Sequence, residues 1–323
     1  MASSQIAARR IPGLLTEDRL PVTVVLPTVR GFADARAALH RLVPQVQAAG
    51  GEIIVVDGSS VSPPTAAELA SAAELASLGG ASIRWLSLPG HSVFQLRYAA
   101  YKQARGEVVA VTEDHCLVDD DWIERILDAH HRHPGAAAVG GAVLNGTDRK
   151  VVDWAAFVLT QGPFMPPLVN GEGPRISGPA NVSYKRRVIE RLHADERYGL
   201  IDFLELPAAL EGEPLVNDDS IRVLHHQSQG FWGTSLAEFD NGRTIAGYRR
   251  RKMEMGDWLR VVGSPLLPIY RSVRAWRIAS RKERPRGVLL RSAPAHVWLQ
   301  YCAMGGELLG YAAGPGASPN RLH

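Results

Sequence analysis

Glu52-Ile-Ile-Val-Val-Asp57-Gly-Ser-Ser60 is a run of β-branched apolar residues that ends abruptly in an acid, a glycine and two serines. Branching at Cβ favours extended backbone, and an apolar run without polar alternation reads as a strand buried on both faces. The same design stands on either side of it. Upstream, Val22-Thr-Val-Val-Leu26 is closed by Pro27-Thr28-Val29-Arg30, and downstream Val108-Val-Ala-Val-Thr112 is closed by Glu113-Asp114-His115. Ser82 to Leu88 reads as a further strand. Between the strands lie helical patterns. Ala35, Ala38, Leu39, Leu42, Val43 and Val46 share one face of a helix that Gly50-Gly51 stops. Ser92 is placed to cap a helix running to Arg105. Asp119-Asp120-Asp121 opens a third helix with Trp122, Ile123, Ile126 and Leu127 on one face, where acids suit the helix dipole.

Alternating strands and helices of these lengths make a doubly wound, mostly parallel, Rossmann-like α/β sheet. Ligands of such sheets sit outside the carboxyl ends of the strands. The clusters at residues 27–30, 57–60 and 113–115 all fall at those ends, so they are expected to converge.

The chain has 323 residues, 46% of them hydrophobic, which suits one large α/β domain with an appendage. Its net charge of +3 is too mild to argue for nucleic acid. The 2 cysteines, Cys116 and Cys302, build neither a disulfide framework nor a zinc pattern, and a reducing cytoplasm is the expected location. Residues 1 to 20 read as a polar lead-in without a signal peptide, and no apolar run is long enough to span a bilayer. Residues 65 to 78 repeat Ala-Ala-Glu-Leu-Ala-Ser almost in tandem, an alanine-rich helix with no functional content. The strict alternation fails after residue 145.

Four stretches carry a resemblance. Val24-Val-Leu-Pro-Thr28, then Glu52 to Ser60, then Arg97-Tyr-Ala-Ala-Tyr-Lys-Gln-Ala-Arg-Gly106, then Glu113-Asp114-His115 follow one another in this order. Together they resemble the opening of family 2 glycosyltransferases of the GT-A fold, over about residues 21 to 240. That resemblance implies an inverting, metal-dependent enzyme that moves one sugar from a nucleotide diphosphate donor to an acceptor hydroxyl. Residues 21–145 become the nucleotide-sugar-binding half, 146–241 the acceptor-binding half, and 242–323 a basic loop with an amphipathic helical tail.

The family has Asp-x-Asp where this chain has Glu113-Asp114-His115. By position Glu113 takes the ribose, with Asp114 beside it on the donor, and His115 takes the metal. The histidine leaves manganese or magnesium open, since manganese tolerates imidazole and hard cations want oxygen. Asp57 is placed to accept the imide N–H of a uracil-type base, which favours a UDP-sugar; the blander reading is an Asx turn. Pro27, Thr28, Arg30 and Arg97 fall on the donor side by the same resemblance. Asn181, in Gly178-Pro-Ala-Asn-Val-Ser-Tyr184, is placed at the floor of the sugar site. One of His225-His226 is a candidate further metal ligand, and otherwise the two are a surface or partly buried pair. The processive synthases' Gln-x-x-Arg-Trp is absent, with His226-Gln-Ser-Gln-Gly-Phe-Trp232 in that region.

The general base is sought at Glu205, just before Pro207, with Asp202 and the pair Asp218-Asp219 as rivals. Arg243, with the basic stretch to Arg251, reads either as a flap over the diphosphate or as a solvated loop. The tail from Trp258 mixes aromatics and arginines. It fits either peripheral contact with the inner face of a membrane, and so a lipid-linked or other glycan acceptor, or a helical subdomain packed on the core. Competing readings are a nucleotidyltransferase-like enzyme, for which Val29-Arg-Gly-Phe32 is a poor phosphate loop, and a membrane-docked scaffold with a decayed donor site.

Overall fold

The computed structural model describes residues 19–61, 82–147, 150–193 and 205–322. Asp202 and the alanine-rich segment 65–78 lie outside them. The first half is the expected α/β winding. Strand β1 (Leu20–Thr28) lies between β2 (Glu52–Asp57) and β4 (Gly106–Val111), with β3 (Ser82–Ser87) beyond β2, all parallel. Their side chains alternate between two buried faces. Val22, Val24 and Leu26 pack beneath Leu39, Leu42, Val43 and Val46 of helix α1 (Phe32–Ala48). Val25, Ile54 and Val56 pack on the opposite face against Leu96, Ala100 and Tyr101 of α2 (Val93–Tyr101). Two covered faces explain why these strands carry unbroken apolar runs. Ser92 caps α2 through the backbone N–H of Gln95, as expected.

The second half departs from parallel winding. Helix α3 (Trp122–Arg132) follows the short strand β5 (Cys116–Val118), and β6 (Ala138–Asn145) leads into α4 (Val151–Gln161). Then come β7 (Gly171–Glu172), β8 (Val182–Lys185), the single-turn helices α5 (Arg186–Ile189) and α6 (Leu206–Ala209), and the long β9 (Leu215–His225). The sheet order is β3-β2-β1-β4-β8-β6-β9-β5, with β7 on β9. β8 is antiparallel to both β4 and β6, β9 is parallel to β6, and β5 is antiparallel to β9.

Where β6 meets β9 the register slips. Gly141 pairs with Asp218 but Ala142 pairs with Arg222, so residues 219–221 bulge out of β9. Asn181 closes this gap. Its Nδ2 donates to Ala142 O at 2.8 Å and to Ile221 O at 2.9 Å, and its Oδ1 accepts from Trp122 Nε1 at 2.8 Å. Asn181 is fully buried. The expectation that it meets donor hydroxyls is therefore corrected: both ends of its amide are committed inside the sheet. Gly141 is required beneath it, since a Cβ there would collide with Ile221 O and Asn181 Nδ2.

The basic stretch after Gly242 is helix rather than flap. Helix α7 (Gly230–Arg249) crosses the C-terminal helix α10 (Val288–Ala313) at glycines: Gly242 against Ala303, Gly306 against Phe239, and Gly310 against Arg243. These glycines serve close helix contact. Arg243 points its Nε at Gly314 O at 3.2 Å, so its guanidinium ties α7 to the end of α10 rather than covering a diphosphate. Between them lie α8 (Met255–Val262) and α9 (Leu267–Ala279), the latter anchored by a forked Arg271–Glu307 pair at 2.6 and 3.1 Å. Among the described residues no helix is long and apolar enough to cross a membrane.

Replacing Asn181 by Ala strands two carbonyls and an indole N–H, each worth about 1–3 kcal/mol when buried unpaired. We expect urea unfolding to show a loss of at least about 3 kcal/mol. A midpoint close to wild type would contradict the assignment.

Candidate functional site

The carboxyl ends of β1, β2 and β4 are neighbours, with Thr28 opposite Asp57 and Val25 opposite Val111. The three expected clusters therefore do converge. Thr28 Oγ1 donates to Asp114 Oδ2 at 2.7 Å, and the other oxygen of Asp114 lies 2.8 Å from His115 Nδ1. As an ionised carboxylate Asp114 only accepts, so the proton of that contact sits on Nδ1. This leaves His115 Nε2 facing the centre of the site, the arrangement in which a carboxylate orients a metal-ligating histidine.

The pairing of β5 with β9 brings in the second histidine. Cys116 pairs with His225, and His226 N donates to His115 O at 2.9 Å. His115 Nε2 thereby comes to 3.2 Å from His225 Nε2 and 3.4 Å from Glu113 Oε2, while His225 Nε2 stands 3.6 Å from the same Oε2. Donor atoms of Glu113, His115, Cys116 and His225 all lie within 4.8 Å of one another. Phe157 of α4 stands behind His225 with ring centroids 6.3 Å apart.

The electrostatics follow from crowding these groups. Burial alone pulls His115 down, but its hydrogen bonds to Asp114 and Glu113 and their charges outweigh it and raise its pKa to about 10. Burial pushes Glu113 up, yet the two histidines bring it well below the usual carboxylate range. The Cys116 thiol is pushed well above its ordinary value by burial and by the charge of Glu113. A thiol held protonated and buried is a poor partner for a hard cation. The donor set that remains is two imidazoles and one carboxylate. That set fits manganese or another first-row ion and is ill suited to magnesium, which wants oxygen. Glu113, expected on a ribose, turns its carboxylate between the two histidines.

Arg30 lines a cleft with Asp114, His115, His226, Gln227 and Ser228, and Ser228 Oγ donates to Asp153 of α4 at 3.0 Å. His226 stays out of the cluster. Its Nε2 is buried without a hydrogen-bond partner, and its ring lies against Gly146, where any Cβ would stand 2.7 Å from it. Asp57 is buried at the tip of β2, where its Oδ1 accepts from Ser59 N at 2.8 Å, so the Asx turn is present and Oδ2 faces Gly31. Arg97 is buried on α2 with its guanidinium 5.3 Å from the Phe94 ring centroid. Pro27 is buried within β1, opposite Val56. Glu205 is half-buried immediately before α6. Of its rivals, Asp218 is paired with Arg132 at 2.7 Å and Asp219 with Arg222 at 2.7 Å, which leaves both committed to cations.

The choice of His225 over His226 was open to a sequence reader. Ile221, Val223 and His225 share the inner face of β9 by its period of two, but the apolar Leu224 blurs that alternation.

Residues 23–192 match the family described as glycosyl transferase family 2. A glucosyl-dolichyl phosphate glucuronosyltransferase of Haloferax volcanii is 41% identical over 51 residues, which span 16% of this chain and 14% of that relative's length. The fold is similar to that of a mannosyltransferase from Pyrobaculum calidifontis in complex with GDP-Man and Mn2+. The TM-score is 0.54 at 15% identity, over 91% of this chain and 86% of that one.

We expect His225→Ala to weaken Mn2+ binding by at least the about 10- to 100-fold typical of a lost outer-shell partner, with His226→Ala close to wild type. His115 must shed its proton to ligate, so affinity should rise as pH rises from 6 towards its pKa of about 10. Calorimetric titrations at several pH values check both. A flat pH profile, or a larger effect at His226, would contradict this geometry.

Proposed function

Because the chain belongs to glycosyl transferase family 2, we propose that it moves one sugar from a nucleoside-diphosphate donor to an acceptor hydroxyl with inversion, using a divalent metal. The observation that carries this reading is the meeting of Glu113, His115 and His225 at the carboxyl edge of the sheet, oriented by Thr28 and Asp114. Glu113, His115 and His225 would hold the ion, which when bound supplies positive charge to the diphosphate leaving group. The Mn2+ and GDP-Man of the Pyrobaculum calidifontis structure support a metal and a sugar nucleotide here. Manganese is the ion the donor set favours.

The chain's own residues do the rest. Asp114 locks the tautomer of His115 and keeps Nε2 on the metal side. Arg30, which lines the same cleft, meets the phosphate oxygens. Asp57 offers Oδ2 to the N–H edge of the base, an interaction open to uracil or guanine. Glu205 takes the acceptor proton as the hydroxyl oxygen attacks the anomeric carbon and the bond to the diphosphate breaks. The acceptor is a glycan or lipid-linked saccharide presented at the inner face of a membrane, a reading supported by the dolichyl phosphate acceptor in the name of the Haloferax volcanii relative.

Binding of UDP, GDP and their sugars should require Mn2+ and be lost in His115→Ala. Glu205→Gln should leave donor affinity unchanged while slowing nucleoside-diphosphate release in the presence of acceptor by about 100-fold or more. Nucleotide binding that ignores both metal and His115 would sink the proposal.

A further inference from the structure

Helix α8 is inside out. Met255, Trp258, Leu259 and Val262, at i, i+3, i+4 and i+7, are 76%, 57%, 66% and 78% exposed. Its acid faces inward instead. Asp257 is buried, with Oδ1 accepting from Tyr311 Oη at 2.8 Å and from Arg260 at 2.7 Å. A surface helix of a water-soluble domain turns its apolar stripe to the core. Here an ion-paired aspartate and a tyrosine hold the stripe outward.

The stripe continues along α9. Leu266, Ile269, Tyr270 and Val273 are exposed on one face, and Arg274 and Arg277 extend that face by a further turn. Arg274, Arg277, Arg281, Arg286 and Arg291 make no ion pair among the described residues, and all five are exposed. Between Arg249 and Arg291 the acids are Glu254, Asp257 and Glu283, against thirteen Lys and Arg. The surface also reaches the site. Phe231 lies two residues beyond Gln229 of the cleft and stacks on Trp298 at 6.1 Å, and Tyr301, one turn on from Trp298, bonds Pro265 O at 2.9 Å beside α9.

We infer that the outward faces of α8 and α9 dock in the plane of an anionic lipid bilayer, with the apolar stripe among the acyl chains and the arginines on the headgroups. A large apolar stripe bordered by Arg and Trp is the chemistry of an in-plane anchor. A second copy of the chain would set basic face against basic face, so charge selects the bilayer over a homodimer. The assignment rests on the reading of the acceptor as membrane-borne, and gives that reading a surface contiguous with the cleft rim.

The test is co-sedimentation of the full chain with phosphatidylcholine vesicles, with and without about one-third phosphatidylglycerol, alongside Mn2+-dependent UDP or GDP binding. Wild type should bind the anionic vesicles, and more weakly in high salt. Trp258→Asp with Leu259→Asp should lower vesicle binding at least about tenfold while leaving nucleotide binding intact. Arg274→Glu with Arg277→Glu should do the same through charge alone and guards against a folding defect in the first pair. Wild type indifferent to anionic lipid, variants that bind as wild type does, or a dimer dissolved by Leu259→Asp would each overturn the inference. Vesicle binding intact in a chain that binds no nucleotide would support docking while sinking the transfer reading.

Discussion

Asp114 is the hinge of this molecule. One of its oxygens accepts from Thr28 at the end of β1, and the other holds His115 at the start of β5. Two elements far apart in the chain are joined through a single buried carboxylate, and the joint fixes which nitrogen of His115 is left for a ligand. A hydroxyl–carboxylate–imidazole chain inside a protein gains strength from its low-dielectric setting and tolerates no missing member. The cluster of Glu113, His115 and His225 inherits its geometry from that chain.

The sheet is shaped to make the cluster possible. A purely parallel winding would leave His115 at a strand tip with solvent on its far side. The antiparallel pairing of β5 with β9 instead brings His225 across to it. β9 pairs with β6 on one edge and β5 on the other, and where it bulges at residues 219–221 Asn181 satisfies the carbonyls left over. The residue expected to read the sugar is thus a structural pin, one step removed from the site it helps to place.

The parallel strands were legible because β-branched runs closed by polar clusters have few other readings, and the order of those clusters pointed to the family. Other elements were not legible, for identifiable reasons. β5 is three residues long, too short for any period to show. Gly140 and Gly141 dilute β6, yet they are there to let Ser177 and Ile221 approach. The basic stretch of α7 read as a flap or loop, whereas Gly242 and Gly247 within it serve a helix crossing and the approach of Pro315. The approach of Glu113 to His115 and His225 was not legible, because linear position says nothing about which way a carboxylate turns once two histidines arrive. The tail's mixture of arginine and aromatic residues was visible in sequence, whereas the outward rotation of α8 required Asp257 and Tyr311 in three dimensions.

In the proposed site two imidazoles, His115 and His225, flank one metal position. Pulsed electron paramagnetic resonance of the Mn2+-loaded chain measures this directly through nitrogen couplings. Couplings from two histidine nitrogens are expected in wild type and from one in His225→Ala, with His226→Ala like wild type. A Mn2+ signal free of imidazole nitrogen, or one that changes only when His226 is replaced, would contradict it.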